Sequence, residues 1–238
     1  MVSIIESNGG GQGGVISERS KHLVRFYAAM DELERRLGGA RILGQCAGRM
    51  TWPPRGVYFV REPGELRFDG RSPRIVLLGT HAIKNPNEKS QLRGRIRTHR
   101  GNRDGGGNHR GSSFRLCVGQ AILERDHHSC RSWAVGRMAA TAARRFGVTS
   151  AEILRDERPI EEKVSAVICA MSILWLPIDD APGPDSKRAD IERNSTALLS
   201  NYNHQREPLD PQSKGWLGQH SPNERVCRSG LWSLGLRR

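Results

Sequence analysis

GVYFV at 56–60, IVLLGT at 75–80 and QLRGRIRTHR at 91–100 decide how this chain is read. The first two are short runs of β-branched and aliphatic residues. Between them EPGELRFDGRSP supplies Pro63-Gly64 and Asp69-Gly70 turn signals, so Val57 to Val60 and Arg74 to Leu78 pair as antiparallel strands, with room for a short extra hairpin. The third run changes period. Leu92 and Ile96 stand four apart, and the pattern predicts a helix over 88–99. Arg95 and His99 share that spacing, which puts both on one helical face.

Working outward, residues 1–16 are Gly-rich with little to bury, and are expected to be a flexible tail. Ser17 is placed to cap a helix running to Leu37 and ended by Gly38-Gly39, with Leu23, Phe26, Met30, Leu33 and Leu37 as its buried stripe. Trp52-Pro53-Pro54 stops any helix and delivers the chain extended to Gly56. GNRDGGGNHRGSS at 101–113 is a glycine-rich, basic loop, and helices are expected at about 114–124, 132–146, 160–174 and 187–200. From about 205 the chain reads as loop with short turns. The result is an α+β domain: a small antiparallel sheet flanked by helices, with added N-terminal and C-terminal helices. A single elaborated domain over 17–238 is expected, its core at about 52–203.

The chain has 238 residues, with 38 Lys and Arg against 25 Asp and Glu, a formal net charge of +13. Such an excess favours a polyanionic partner, because basic side chains that neutralise phosphates release condensed counterions. Charge alone does not separate nucleic acid from an anionic membrane surface. No apolar run approaches the roughly 20 residues of a membrane span, and the N-terminus lacks a signal-peptide core. A cytoplasmic protein with no membrane partner is expected. Cys46, Cys117, Cys130, Cys169 and Cys227 form no CxxC pair and read as reduced thiols. His127-His128-Ser129-Cys130 lacks zinc-ligand spacing and reads as a surface loop.

Gly56-Val57-Tyr58, then Leu77-Leu78-Gly79, then Arg95 with His99 resemble the core of the GIY-YIG endonuclease family, in particular bacterial restriction-type members with long insertions. The resemblance spans about 52–100 and resumes at about 190–203. It implies that Tyr58 is the family's first tyrosine. The second falls on Leu77, a departure, and His81 or Lys84 just beyond is a source of polar help. It also implies that Arg95 is the family's arginine and that His99 is the histidine some restriction enzymes carry one turn later. The family's metal-binding glutamate maps to Glu192 in Ile191-Glu192-Arg193-Asn194. Its asparagine maps to Asn203 by spacing, with Asn201 as the helix-end alternative. Glu161 and Glu162 compete as carboxylates, but they read as first-turn residues set favourably at a helix dipole.

The implied activity is divalent-metal-dependent hydrolysis of DNA phosphodiesters, with Mg2+ or Mn2+ on Glu192, in restriction, defence or repair. A homodimer suits double-strand cleavage. Tyr58, or a water it orients, would accept the nucleophile's proton. An ordinary tyrosine pKa is near 10, and positive charge from Arg95, the metal or His99 is expected to lower it. Arg95 would stabilise charge growing on the phosphorane oxygens.

DNA contacts are expected from Arg93, Arg97 and Arg100 on the basic helix, and from Asn108, His109, Arg110 and Arg115 in the glycine-rich loop, which otherwise is an ordinary mobile loop. Arg131, Arg137, Arg144 and Arg145 form a second basic surface or a solvated helix face. Two other readings remain open. One is a DNA-binding protein of the same fold with little or no cleavage, motivated by Leu77. The other is a basic adaptor domain, in which Tyr58, Arg95 and Glu192 would lie far apart.

Overall fold

The computed structural model describes residues 17–46, 50–81, 83, 91–183, 185–202 and 208–234; the tail at 1–16 lies outside them. Helix α1 (Glu18–Leu37) begins where the serine allows it: Ser17 Oγ accepts the Ser20 amide at 3.2 Å. It ends on Gly38 at φ 68°, the left-handed conformation that glycine adopts without a Cβ penalty. Its buried stripe is Leu23, Tyr27, Met30 and Leu33. Tyr27 takes the central place expected of Phe26, and its hydroxyl donates to Asp210.

Strands β1 (Arg41–Ile42), β2 (Gly56–Leu66), β3 (Pro73–Gly79) and β4 (Ser172–Pro177) form an antiparallel sheet in the order β1-β4-β2-β3. β2 and β3 are the hairpin legible in sequence, with register shifts around Arg61. β4 was not expected. Its SILWLP continues the apolar helical spacing of Val164, Ile168 and Met171, so that the segment read as one helix over 160–174. The break comes at Met171, whose backbone is extended at φ −73°, ψ 156°. Beyond it Ile173 and Trp175 face one layer and Leu174 the other, the period of a strand.

The remaining helices are α2 (Leu92–Arg100), α3 (Ser113–Arg125), α4 (Ala139–Phe146), α5 (Ser150–Ala170), α6 (Lys187–Leu199) and α7 (Glu224–Ser229). α5 starts ten residues earlier than expected, on a capping box between Thr149 and Glu152, and runs through Pro159. α4 is only the second half of the helix expected over 132–146, because Ala134 and Gly136 adopt positive φ before it.

The sheet separates two apolar layers. Val57, Phe59, Ile75, Leu78 and Leu174 pack with α1 and α6 residues. Tyr58, Val60, Val76, Leu77, Ile173 and Trp175 pack with α2, α3 and α5 residues. The C-terminal stretch does more than turn. Trp216 and Trp232 enter the second layer, and both indole N–H groups donate to Glu62 Oε2, at 2.9 and 2.8 Å. No helix among the described residues is long and apolar enough to cross a membrane.

Candidate active site

Tyr58 sits on β2 opposite Gly79 of β3 and Trp175 of β4. Its ring lies across the backbone of Gly79, where a Cβ would come within 2.6 Å of the Tyr58 hydroxyl oxygen. The glycine ending the second tripeptide therefore makes room for the tyrosine of the first. Gly56 has a parallel constraint: a Cβ there would meet the Leu176 carbonyl at 2.5 Å. Leu77 pairs with Val60 and is buried in the core, supplying packing and no hydroxyl.

The partner of the Tyr58 hydroxyl comes from α2. Tyr58 Oη lies 2.8 Å from His99 Nε2, and His99 Nδ1 lies 2.7 Å from Ser112 Oγ. Ser112 caps α3 by accepting the Arg115 amide at 3.1 Å. Arg115 in turn donates to the His99 carbonyl at 3.0 Å. His99 is thus fixed at its ring by two hydroxyl-bearing residues and at its backbone by a guanidinium. Burial, with the charges of Arg95 and Arg115, holds its pKa well below the usual imidazole value. His99 is neutral at pH 7.

Arg95, one turn before His99, bears on the same hydroxyl through its charge and its donors. It also donates to the Gly111 carbonyl at 3.3 Å, which anchors it to the entry of α3. Arg95 does lower the Tyr58 pKa, as expected of a nearby positive charge, but the net shift is upward. Burial raises the Tyr58 pKa and outweighs Arg95, Glu192 raises it further, and neutral His99 adds no charge.

Glu192 of α6 completes the group. Its carboxylate acts electrostatically on Tyr58 and feels Arg95, so β2, α2 and α6 converge despite their separation in sequence. Burial raises its pKa. It makes no hydrogen bond or ion pair with another described residue. A half-buried carboxylate with no hydrogen-bonded partner among the described residues fits the chemistry of a hard divalent ion, which takes oxygen ligands and keeps water in its remaining positions. Among the described residues no three of His, Cys, Asp and Glu gather as a metal cage, so the fit is to a one-carboxylate site.

Other expected residues lie elsewhere. Asn201 donates its side-chain amide to the Asp210 carbonyl at 2.9 Å and its backbone amide to Ser229, bonds that tie the end of α6 to the C-terminal segment. Its Oδ1 is buried and meets no hydrogen-bond partner among the described residues. Asn203 and Lys84 lie outside the described residues. His81 is buried, with Nε2 3.2 Å from the Pro54 carbonyl.

The glycine-rich loop requires the largest correction. Arg115 is fully buried and donates to Glu161 Oε2 through Nε at 2.9 Å. His109 is buried, stacked on Trp133 at 3.8 Å between centroids, and bonded to the same carboxylate. Arg110 pairs with buried Glu157 at 2.7 Å. None of the three presents a guanidinium or imidazole to a DNA surface; of that set only Asn108 is exposed. The glycines serve this interior. A Cβ at Gly107 would meet the Arg115 guanidinium at 2.1 Å, so the loop is the seat of a buried arginine. Glu161 lies in the middle of α5, not in a first turn. Burial would raise its pKa, but His109 and Arg115 outweigh burial and lower it.

Arg93 and Arg97 are exposed on the other flank of α2, and Arg100 is half-buried, donating to the Cys46 carbonyl. Arg131, Arg137, Arg144 and Arg145 are exposed around α4. Ser112 is the functional neighbour that sequence reasoning missed, and Arg115, expected at the DNA surface, instead supports His99 from the interior. Ser112 was legible as an N-cap before the apolar run of α3, but its bond to His99 was not.

Comparison with curated proteins and with solved structures gave no match to the chain. The family model of the GIY-YIG domain matches residues 17–235, nearly the whole chain. The four-stranded antiparallel sheet with its flanking helices is consistent with that fold, and by this match the chain belongs to the GIY-YIG family, a family of nucleases.

Proposed function

We propose that this protein is a divalent-metal-dependent DNA endonuclease. The observation that supports it best is the Tyr58–His99 contact of 2.8 Å, lying within the electrostatic reach of both Arg95 and Glu192. An arginine, a carboxylate and a proton-accepting pair at one place are what hydrolysis of a phosphodiester requires.

Glu192 is the residue that would hold magnesium or manganese, which when bound supplies positive charge at the scissile phosphate. Arg95 offers a planar fork of donors to the non-bridging oxygens, where negative charge grows as water attacks. Neutral His99 accepts a hydrogen bond from the Tyr58 hydroxyl through Nε2, while its Nδ1–H donates to Ser112 Oγ, which fixes the tautomer. Tyr58 Oη then has its lone pairs available for the proton of the attacking water. As that proton arrives, the tyrosine's own proton passes to His99. The new P–O bond forms as the P–O3′ bond breaks, and the leaving 3′ oxygen takes a proton from solvent. Tyr58 works as a relay, which the raised pKa of its hydroxyl requires, since a standing phenolate is disfavoured by burial.

A second reading, a DNA-binding protein with little or no cleavage, is favoured by Leu77, which leaves the site one phenol short. A plasmid-nicking assay with and without magnesium separates the two. Magnesium-dependent nicking that vanishes in Glu192→Gln supports the nuclease; binding without nicking supports the second reading. A cytoplasmic setting, a defence or repair task, and a homodimer cutting both strands complete the proposal.

A further inference from the structure

The flank of α2 turned away from the catalytic residues borders a cleft of about 400 Å³, lined by Trp52, Arg93, Arg97, Arg100, Asn102 and Arg103 among others. At about 100° per residue, Arg93 and Arg97 lie roughly 150° around the helix from the Arg95–His99 face. Among the described residues no carboxylate lines the cleft. Arg93, Arg97 and Arg103 make no ion pair or hydrogen bond with another described residue. Among the described residues their charge is uncompensated, and it faces a space of ligand size, since small-molecule pockets start at roughly 300 Å³.

One wall of this cleft is aromatic. Trp52 is half-buried, packs on Trp175 at 4.6 Å between centroids, and is held by Pro53 and Pro54 next in the chain. A fixed indole beside unpaired guanidinium groups fits a ligand with a flat π-face and an attached anion. That is the chemistry of a nucleotide. Bases in a continuous duplex are stacked on one another and offer no free face, so the nucleotide must be unpaired.

The outer ridge of α2 connects the cleft to the catalytic side. Gly94 and Thr98 are exposed there, and a Cβ at Gly94 would meet nothing within 4 Å. A phosphodiester backbone crosses such a ridge closely. The helix is roughly 10–12 Å across with its side chains, about three nucleotides at 3.4 Å of rise.

We propose that this cleft is a receptor for one unpaired nucleotide of the bound strand, its base on Trp52 and its phosphate on Arg93 and Arg97. The protein then binds DNA with an unpaired nucleotide in preference to a continuous duplex. The inference rests on the nucleic-acid part of the functional reading above.

The test uses the full chain in EDTA, so that cleavage plays no part. Fluorescence anisotropy measures affinity for a duplex and for the same duplex carrying a one-nucleotide bulge. Base stacking on an aromatic is worth about 1–3 kcal/mol, so the bulged DNA should bind about tenfold tighter. Trp52→Ala should erase that preference. Because Trp52 also packs on Trp175, surface variant Arg97→Gln is measured beside it and should shrink the preference as well. Equal affinity for the two DNAs in the wild-type protein, or a preference untouched in both variants, overturns the proposal. Nicking of plasmid with no bulge preference sinks this inference alone. A bulge preference without nicking sinks the nuclease reading alone.

Discussion

The Tyr58 hydroxyl reaches His99, 2.8 Å away, across a β3 position that carries no side chain, Gly79. A methyl group there would stand 2.6 Å from the hydroxyl oxygen, closer than Cβ atoms pack, and backbone on both strands leaves little room to yield. Gly79→Ala is therefore expected to lose about 1–3 kcal/mol of stability, the usual range for overpacking. Thermal unfolding measures that loss. The same variant should cleave more slowly, because the ring it displaces is the one that meets His99. An unchanged melting temperature would mean that the tyrosine is not held across Gly79.

Tyr58→Phe keeps the ring and removes only the hydroxyl. If Tyr58 and His99 move one proton between them, Tyr58→Phe and His99→Ala should each lower the cleavage rate by about 10²–10⁴-fold, the span of general acid–base contributions. The double variant should then be little worse than either single one, since groups acting as a unit are not additive. Single-turnover rates at saturating DNA test this. Losses that multiply in the double variant would assign the two residues separate tasks.

The acid side of the pH profile carries a signed expectation. The folded pKa of His99 lies below its ordinary 6.5, owing to burial and to Arg95 and Arg115. Stability from the neutral, buried imidazole is thus present above about pH 6.5. It is lost as pH falls from there toward the folded value, because the unfolded chain takes up the proton first. The stability gap between the wild-type protein and His99→Gln should narrow from pH 7 to pH 5 in denaturant titrations. In cleavage assays on the wild type, no acid limb should appear at 6.5. A widening gap would give His99 the opposite sign and make it a buried cation.

The hairpin and α2 were legible because each carries a local signal: β-branched runs around Pro-Gly and Asp-Gly turns, then a four-residue period. That same period puts Arg95 and His99 on one helical face from the sequence alone. β4 was hidden for the converse reason. Its residues continue the apolar spacing of α5, and only tertiary pairing with β1 and β2 makes them a strand. The glycine-rich loop misled in a different way. Arginines between glycines look solvent-facing, and nothing local reveals that Glu157 and Glu161, about 47 residues on, bury them. Long-range ion pairs leave no period to read.

That burial yields the last prediction, in which stability and DNA binding part company. Removing one partner of a buried pair strands the other's charge, at a cost of about 3–5 kcal/mol. Arg115→Met strands Glu161 and releases the His99 carbonyl, so it should lower the melting temperature by about 6–20 °C, at about 2–4 °C per kcal/mol for a chain of this size. It should also slow cleavage through His99 at temperatures where the variant is folded. It should not alter the salt dependence of DNA binding, since a fully buried guanidinium neutralises no phosphate. Arg93→Ala is the counterpart. Its side chain is exposed and unpaired among the described residues, so stability should hold within about 0.5 kcal/mol. The log–log slope of affinity against salt should fall by about 0.9, the value of one phosphate contact. Thermal melts and salt titrations on the two variants supply all four numbers. A slope change in Arg115→Met with an unchanged melt would return the glycine-rich loop to the DNA interface and remove it from the support of His99.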